Sequence, residues 1–105
     1  MKSYLINLDR DVARLAHMCD VFGRFGIAYE RLAATDGASL QDPGSAITRG
    51  EMGCLSSHRR VLEKIAGGAD RYAAVFEDDI HIARALVTYL ARVALPAICP
   101  TSAVC

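Results

Sequence analysis

Three acidic residues, Glu77, Asp78 and Asp79, follow directly on the apolar run Ala73-Ala74-Val75-Phe76. Successive side chains of an extended chain alternate sides, so Glu77 and Asp79 are expected to point together and Asp78 opposite. Two carboxylates on one side suit a hard divalent cation such as Mg²⁺ or Mn²⁺. Such an ion can bridge diphosphate oxygens and offset leaving-group charge. The plain alternative is an acidic turn that caps the next helix. Three adjacent acids behind a buried strand repel one another unless something positive is bound, which favours a site.

Glu51-Met52-Gly53-Cys54-Leu55-Ser56-Ser57-His58 is the second candidate. Gly53, Cys54, Ser56 and Ser57 are small, so this helix start could approach another backbone or a ligand closely, and helix N-termini favour anions. His58 could donate to a phosphate or sugar hydroxyl, or act as a base, although a lone helical histidine is more often structural. The third candidate is Asn7-Leu8-Asp9-Arg10 with Arg14. Asp9 could accept from a ribose or base, and Arg10 or Arg14 could meet phosphate. A helix cap with solvent-facing arginines is the commoner meaning of such a run. Asp36-Gly37 reads as a turn.

The elements that must position these residues follow from spacing. Ser3 to Leu8 is a short apolar run, expected to be a buried strand. Asp11 offers a helix cap, Val12, Leu15, Cys19, Phe22 and Phe25 recur at helical spacing, and Gly26 stops that helix. Ala28 to Ala34 is a second strand, weakened by Glu30 and Arg31. Thr35 to Ala46 is loop. Thr48 and Glu51 have capping-box spacing and start a helix to about Ala66, with Met52, Leu55, Leu62 and Ile65 as its apolar positions and Gly67-Gly68 as its stop. Tyr72 to Phe76 is a third strand, and a helix runs from Ala83 to about Leu95, before Pro96. Strands alternating with helices predict an α/β layered domain with a mainly parallel sheet. Ligands of such sheets lie beyond the carboxyl ends of the strands, where Asp9 and the acidic triplet both fall.

Composition narrows the partners. The 105 residues suit one domain, and 12 basic residues balance 12 acidic ones, so the basic stripe of a nucleic-acid binder is absent. Cys19, Cys54, Cys99 and Cys105 include no C-x-x-C pair; Cys19 and Cys54 read as small buried thiols, and a reducing cytoplasm is the default. Charged residues follow the short N-terminal apolar run at once, and no long apolar stretch predicts a membrane span. From Ile80 onward there is no Asp or Glu, and Pro96 to Cys105 has no clear periodicity. A receiver-like phosphoacceptor domain, which also uses clustered acids, fits poorly: the acids follow the third strand and no lysine follows Lys64.

Four segments, in order and spacing, resemble glycosyltransferase family 25, which includes lipopolysaccharide galactosyltransferases. They are Ile6-Asn7-Leu8-Asp9-Arg10 with Arg14, Ala33-Ala34-Thr35-Asp36-Gly37, Glu51 to His58, and Phe76-Glu77-Asp78-Asp79. The similarity covers roughly residues 3 to 82. It implies a GT-A-like, Rossmann-type α/β fold. Residues 1–82 would be a partial nucleotide-sugar-binding domain and 83–105 a helix and irregular tail. It implies transfer of a sugar, often galactose from UDP-galactose, to a lipid-linked lipopolysaccharide or lipooligosaccharide glycan. Glu77 and Asp79 would hold Mn²⁺ or Mg²⁺, and Asp78 and His58 would be catalytic. Asn7, Asp9, Arg10, Arg14, Asp36, Gly53, Cys54 and Ser57 would contact the donor. The implied location is cytoplasmic, with at most peripheral contact at the inner membrane. Family members are usually about twice as long as these 105 residues, which makes a truncated, non-catalytic remnant that at most binds nucleotide the alternative to an active transferase.

Overall fold

The apolar run near the N-terminus becomes β1 (Lys2–Asn7), in which every residue after Lys2 is buried. The computed structural model describes residues 1–42, 44 and 46–94. The expected irregular tail, with Cys99 and Cys105, lies outside the described residues. After β1 come α1 (Val12–Phe25), β2 (Glu30–Ala33), a 3₁₀ turn (Gly37–Ser39), α2 (Arg49–Ala66), β3 (Ala73–Glu77) and α3 (Arg84–Ala94). The sheet has the order β2-β1-β3, and both pairings are parallel. Central β1 is covered on both faces, which explains why Tyr4, Leu5 and Ile6 are apolar without alternation.

Alternation along the strands sorts side chains between two layers. Leu5 and Phe76 face α1, where Met18, Phe22 and Ile27 complete a buried cluster, and Leu86, Val87 and Leu90 of α3 pack against it. Tyr4 and Ile6 face α2 and enclose Val61, with Leu32, Ile65 and Val75 around them. Burying a side chain such as Phe22 or Leu5 contributes about 1.5–3 kcal/mol. The connection from β1 to β2 therefore covers one face, and the connection from β2 to β3 the other. Strand order reverses at β1, and the carboxyl ends of all three strands point to one end of the molecule.

Local signals set the helix ends. Gly26 terminates α1 with φ 67°, a left-handed conformation that glycine adopts without a Cβ penalty. Thr48 and Glu51 form the complete capping box, Thr48 Oγ1 accepting from the Glu51 amide at 3.1 Å and Glu51 accepting from the Thr48 amide at 2.8 Å. Asp11 stands at the start of α1, but its side chain makes no cap hydrogen bond.

Several expected inward positions face outward. Val12 is 69% exposed, and Leu55 and Leu62 are each 60% exposed. The buried face of α2 is instead Gly53, Ser57 and Val61, at i, i+4 spacing. The reason is close packing. A Cβ on Gly53 would stand 2.7 Å from the Thr35 carbonyl oxygen and 2.8 Å from the Gly37 nitrogen. Strand β2 is shorter than expected at both ends: its pairing with β1 begins at Glu30 opposite Tyr4 and ends at Ala33 opposite Asn7, with a single further bond from Ala34 to the Asn7 carbonyl. The cysteine expectations also change. Cys54 is an exposed free thiol, and Cys19 is only half-buried.

Candidate functional site

A crevice of about 380 Å³ opens beyond the carboxyl ends of the strands. One wall is the start of α2, with Cys54, Ser57 and His58; the opposite wall carries Arg10, Asp11 and Arg14, and the loop from Thr35 to Ala38 closes one side. Glu77, Asp78 and Asp79 line it together.

Strand alternation divides the triplet. Glu77 continues the parity of Val75 and reaches toward α2, where His58 Nε2 lies 3.0 Å and Cys54 Sγ 3.6 Å from its Oε1. The hydrogen bond from His58 is the main cause of a Glu77 pKa below the ordinary glutamate value, reinforced by Cys54 and the His58 charge against a smaller upward push from burial. Burial, then the charge of Glu77, its hydrogen bond, and the charge of Asp79 push the Cys54 thiol up. The charge of Asp79 thus reaches Cys54, as that of Glu77 does. Asp79 is exposed and has no hydrogen bond or ion pair among the described residues. The triplet does not cap the following helix, because α3 begins at Arg84 and has no acid in its first turn.

Asp78 continues the parity of Phe76 and turns to the α1 side. It is buried, and its Oδ2 accepts from Asn7 Nδ2 at 2.6 Å. Arg14 Nη1 lies 3.5 Å from its Oδ1. Asn7, 2% exposed, also donates to the Asp11 carbonyl at 3.2 Å. Its Oδ1 accepts from Arg31 Nε at 3.1 Å, while Arg31 Nη2 donates to the Asn7 carbonyl at 3.1 Å and to Asp9 Oδ1 at 2.7 Å. The amide orientation follows from its neighbours, since carbonyl oxygen must face guanidinium and NH₂ must face carboxylate.

The expected donor contacts therefore separate. Arg10, Arg14, Asp36, Cys54 and Ser57 line the crevice with His58 and the acidic triplet, whereas Asn7, Asp9 and Gly53 do not. Asp36 caps the 3₁₀ turn by accepting from the Ala38 amide at 3.0 Å, and its other oxygen pairs with Arg10. Ser57 Oγ accepts from the Thr35 amide at 2.8 Å and donates to the Gly53 carbonyl at 2.7 Å. This ties α2 to the loop after β2. Arg31 went unnoticed as a site residue because in sequence it only weakens a strand. The parallel register Leu5↔Arg31 sets it on the same sheet face as Asn7.

An all-parallel sheet with helices on both faces and a polar crevice at the carboxyl ends defines a Rossmann-like ligand-binding domain. The chain belongs to glycosyltransferase family 25, whose family model, described as "Glycosyltransferase family 25 (LPS biosynthesis protein)", matches residues 1–96. It is 33% identical to a glycosyltransferase 25 family member of Anopheles gambiae, over 74% of this chain and 16% of that protein. It is 34% identical to one of Aedes aegypti over the same shares, 74% and 16%. It is 30% identical to the inactive glycosyltransferase 25 family member 3 of Mus musculus, again over 74% and 16%. The chain thus spans about 16% of the length of these curated relatives, a larger difference than the twofold one expected. Among the described residues, no helix is long and apolar enough to cross a membrane.

Proposed function

We propose that the crevice receives the diphosphate end of a nucleotide-sugar, and that the chain supplies the donor-binding part of a metal-dependent glycosyltransferase of GT-A-like fold. The observation that carries this reading is the opposition of charges across one crevice. Glu77 and Asp79, at and just after the end of β3, line it together with Arg10 and Arg14, which now pair with Asp36 and Asp78. The donor set fits Mn²⁺ or Mg²⁺, because Asp79 is unpaired among the described residues and only Oε1 of Glu77 is engaged. A divalent ion held there supplies the charge that stabilises a departing diphosphate. The arginines add cationic donors shaped for phosphate oxygens. His58, already hydrogen-bonded to Glu77, is placed to exchange a proton with a sugar or acceptor hydroxyl. Asp78 has both oxygens engaged, so its catalytic share is electrostatic, exerted from the α1 side.

In the finer form of the proposal, galactose passes from UDP-galactose to a lipid-linked lipopolysaccharide or lipooligosaccharide glycan, at the cytoplasmic side of a membrane. The family's description as an LPS biosynthesis protein supports the acceptor class. A second reading, a nucleotide-binding but non-catalytic chain, is favoured by the mouse relative named inactive. Calorimetric titration of UDP-galactose in Mn²⁺, followed by an assay for galactose transfer to a lipooligosaccharide acceptor, separates the two. Binding with transfer supports the transferase, and binding without transfer supports the second reading. Absence of binding overturns both.

A further inference from the structure

Cys54, His58 and Glu77 bring a sulfur, a nitrogen and an oxygen within 4.8 Å of one another. Two of them stand four residues apart on α2 and so share a face. The third is the last residue of β3, so rigid elements hold the cluster from both sides. The observed separations from Glu77 Oε1, 3.0 Å to His58 Nε2 and 3.6 Å to Cys54 Sγ, are close to the edges of a coordination tetrahedron. With metal–ligand bonds of about 2.0–2.3 Å, those edges are roughly 3.2–3.8 Å. Each residue is partly solvent-accessible, which leaves room for water in a fourth position.

We propose that Cys54, His58 and Glu77 form a binding site for a borderline divalent ion, Zn²⁺, held by three protein ligands with the fourth position open to the crevice. Sulfur and imidazole select Zn²⁺ over Mg²⁺ and Mn²⁺, so this site differs in kind from the all-oxygen pairing of Glu77 with Asp79. Binding displaces the thiol proton to solvent, and His58 coordinates through Nε2 as a neutral imidazole with its proton on Nδ1. Glu77 belongs to both arrangements. Zn²⁺ occupancy therefore withdraws it from Asp79, and Zn²⁺ competes with Mn²⁺-dependent donor binding. That last consequence rests on the donor-site reading; the zinc site itself does not.

Co²⁺ serves as a spectroscopic stand-in for Zn²⁺. Titrated into the purified chain, it is expected to give the intense visible bands of a four-coordinate ion and a near-ultraviolet sulfur-to-cobalt charge-transfer band. One equivalent of Zn²⁺ should bleach both. Cys54→Ser should abolish the charge-transfer band and weaken Zn²⁺ binding by roughly tenfold or more, with an unchanged melt because Cys54 is exposed. Asp79→Asn should keep the band. The band is expected whether or not UDP binds, so the zinc and donor readings fail separately. A weak six-coordinate cobalt spectrum, or a charge-transfer band that survives in Cys54→Ser, would overturn the proposal.

Discussion

Glu77 and Asp78 are adjacent in the chain, yet they end in opposite chemical situations. On the α2 side, Glu77 and Asp79 are exposed, and Asp79 has no partner among the described residues. On the α1 side, Asp78 is buried and engaged by Asn7 and Arg14, and Asn7 is held in turn by Arg31. One wall keeps coordination capacity for a ligand, and the other has spent it on fixing where β1, β2 and β3 end. The division starts from alternation between Phe76 and Glu77 at the end of β3 and is completed in the turn that carries Asp78 and Asp79.

The sharpest break of that contrast is Asp78→Ala. It removes the carboxylate acceptor of buried Asn7 Nδ2, which keeps only the Asp11 carbonyl, and the nearer of the two acidic partners of Arg14; losing a buried hydrogen bond to a charged group costs about 1.5–3 kcal/mol. A urea titration should show the loss in full, with or without nucleotide. Next is Gly53→Ala, whose new methyl group meets backbone atoms of Thr35 and Gly37. Overpacking of this kind costs about 1–3 kcal/mol, and the mutant should lose metal-dependent nucleotide binding as α2 is pushed from the crevice. Asp79→Ala should behave in the opposite way. An exposed substitution stays within about 0.5 kcal/mol of the parent in stability, while Mn²⁺-dependent UDP binding disappears from calorimetry.

The smallest expected effect concerns pH. His58 holds Glu77 below its ordinary pKa, so the folded state favours the carboxylate. That contribution is present above the ordinary glutamate range and is lost as pH falls through the depressed value. The pair is about half exposed, which limits it to less than about 1 kcal/mol. The difference in urea midpoint between the parent and Glu77→Gln should be small near neutrality and vanish once the pH falls below the depressed Glu77 value.

Much of this arrangement was legible in the residues. The Thr48–Glu51 capping box, the Gly26 stop, the buried first strand and the alternation at the acidic triplet all rest on local geometry, which neighbouring residues determine. What escaped depended on tertiary distance. Leu55 and Leu62 look like core positions because hydrophobic periodicity rewards size. The inward face of α2 is Gly53, Ser57 and Val61 because the helix must lie against the loop after β2. Arg31 becomes a hub only once the parallel register sets it beside Asn7. The contact of Cys54 and His58 with Glu77 likewise spans 23 and 19 residues of sequence, beyond the reach of any local pattern.

The most direct measurement is a pair of thermal melts, parent and Asp79→Ala, each recorded with Mn²⁺ alone and with Mn²⁺ plus UDP. A ligand that binds only the folded state at a hundred times its Kd adds about 2.7 kcal/mol. The parent melt should therefore rise when UDP is added to Mn²⁺, while the Asp79→Ala melt, starting at the parent's temperature, stays where it was. An unmoved parent, or an equal rise in Asp79→Ala, would contradict the assignment of the crevice to a nucleotide diphosphate held through the acidic end of β3.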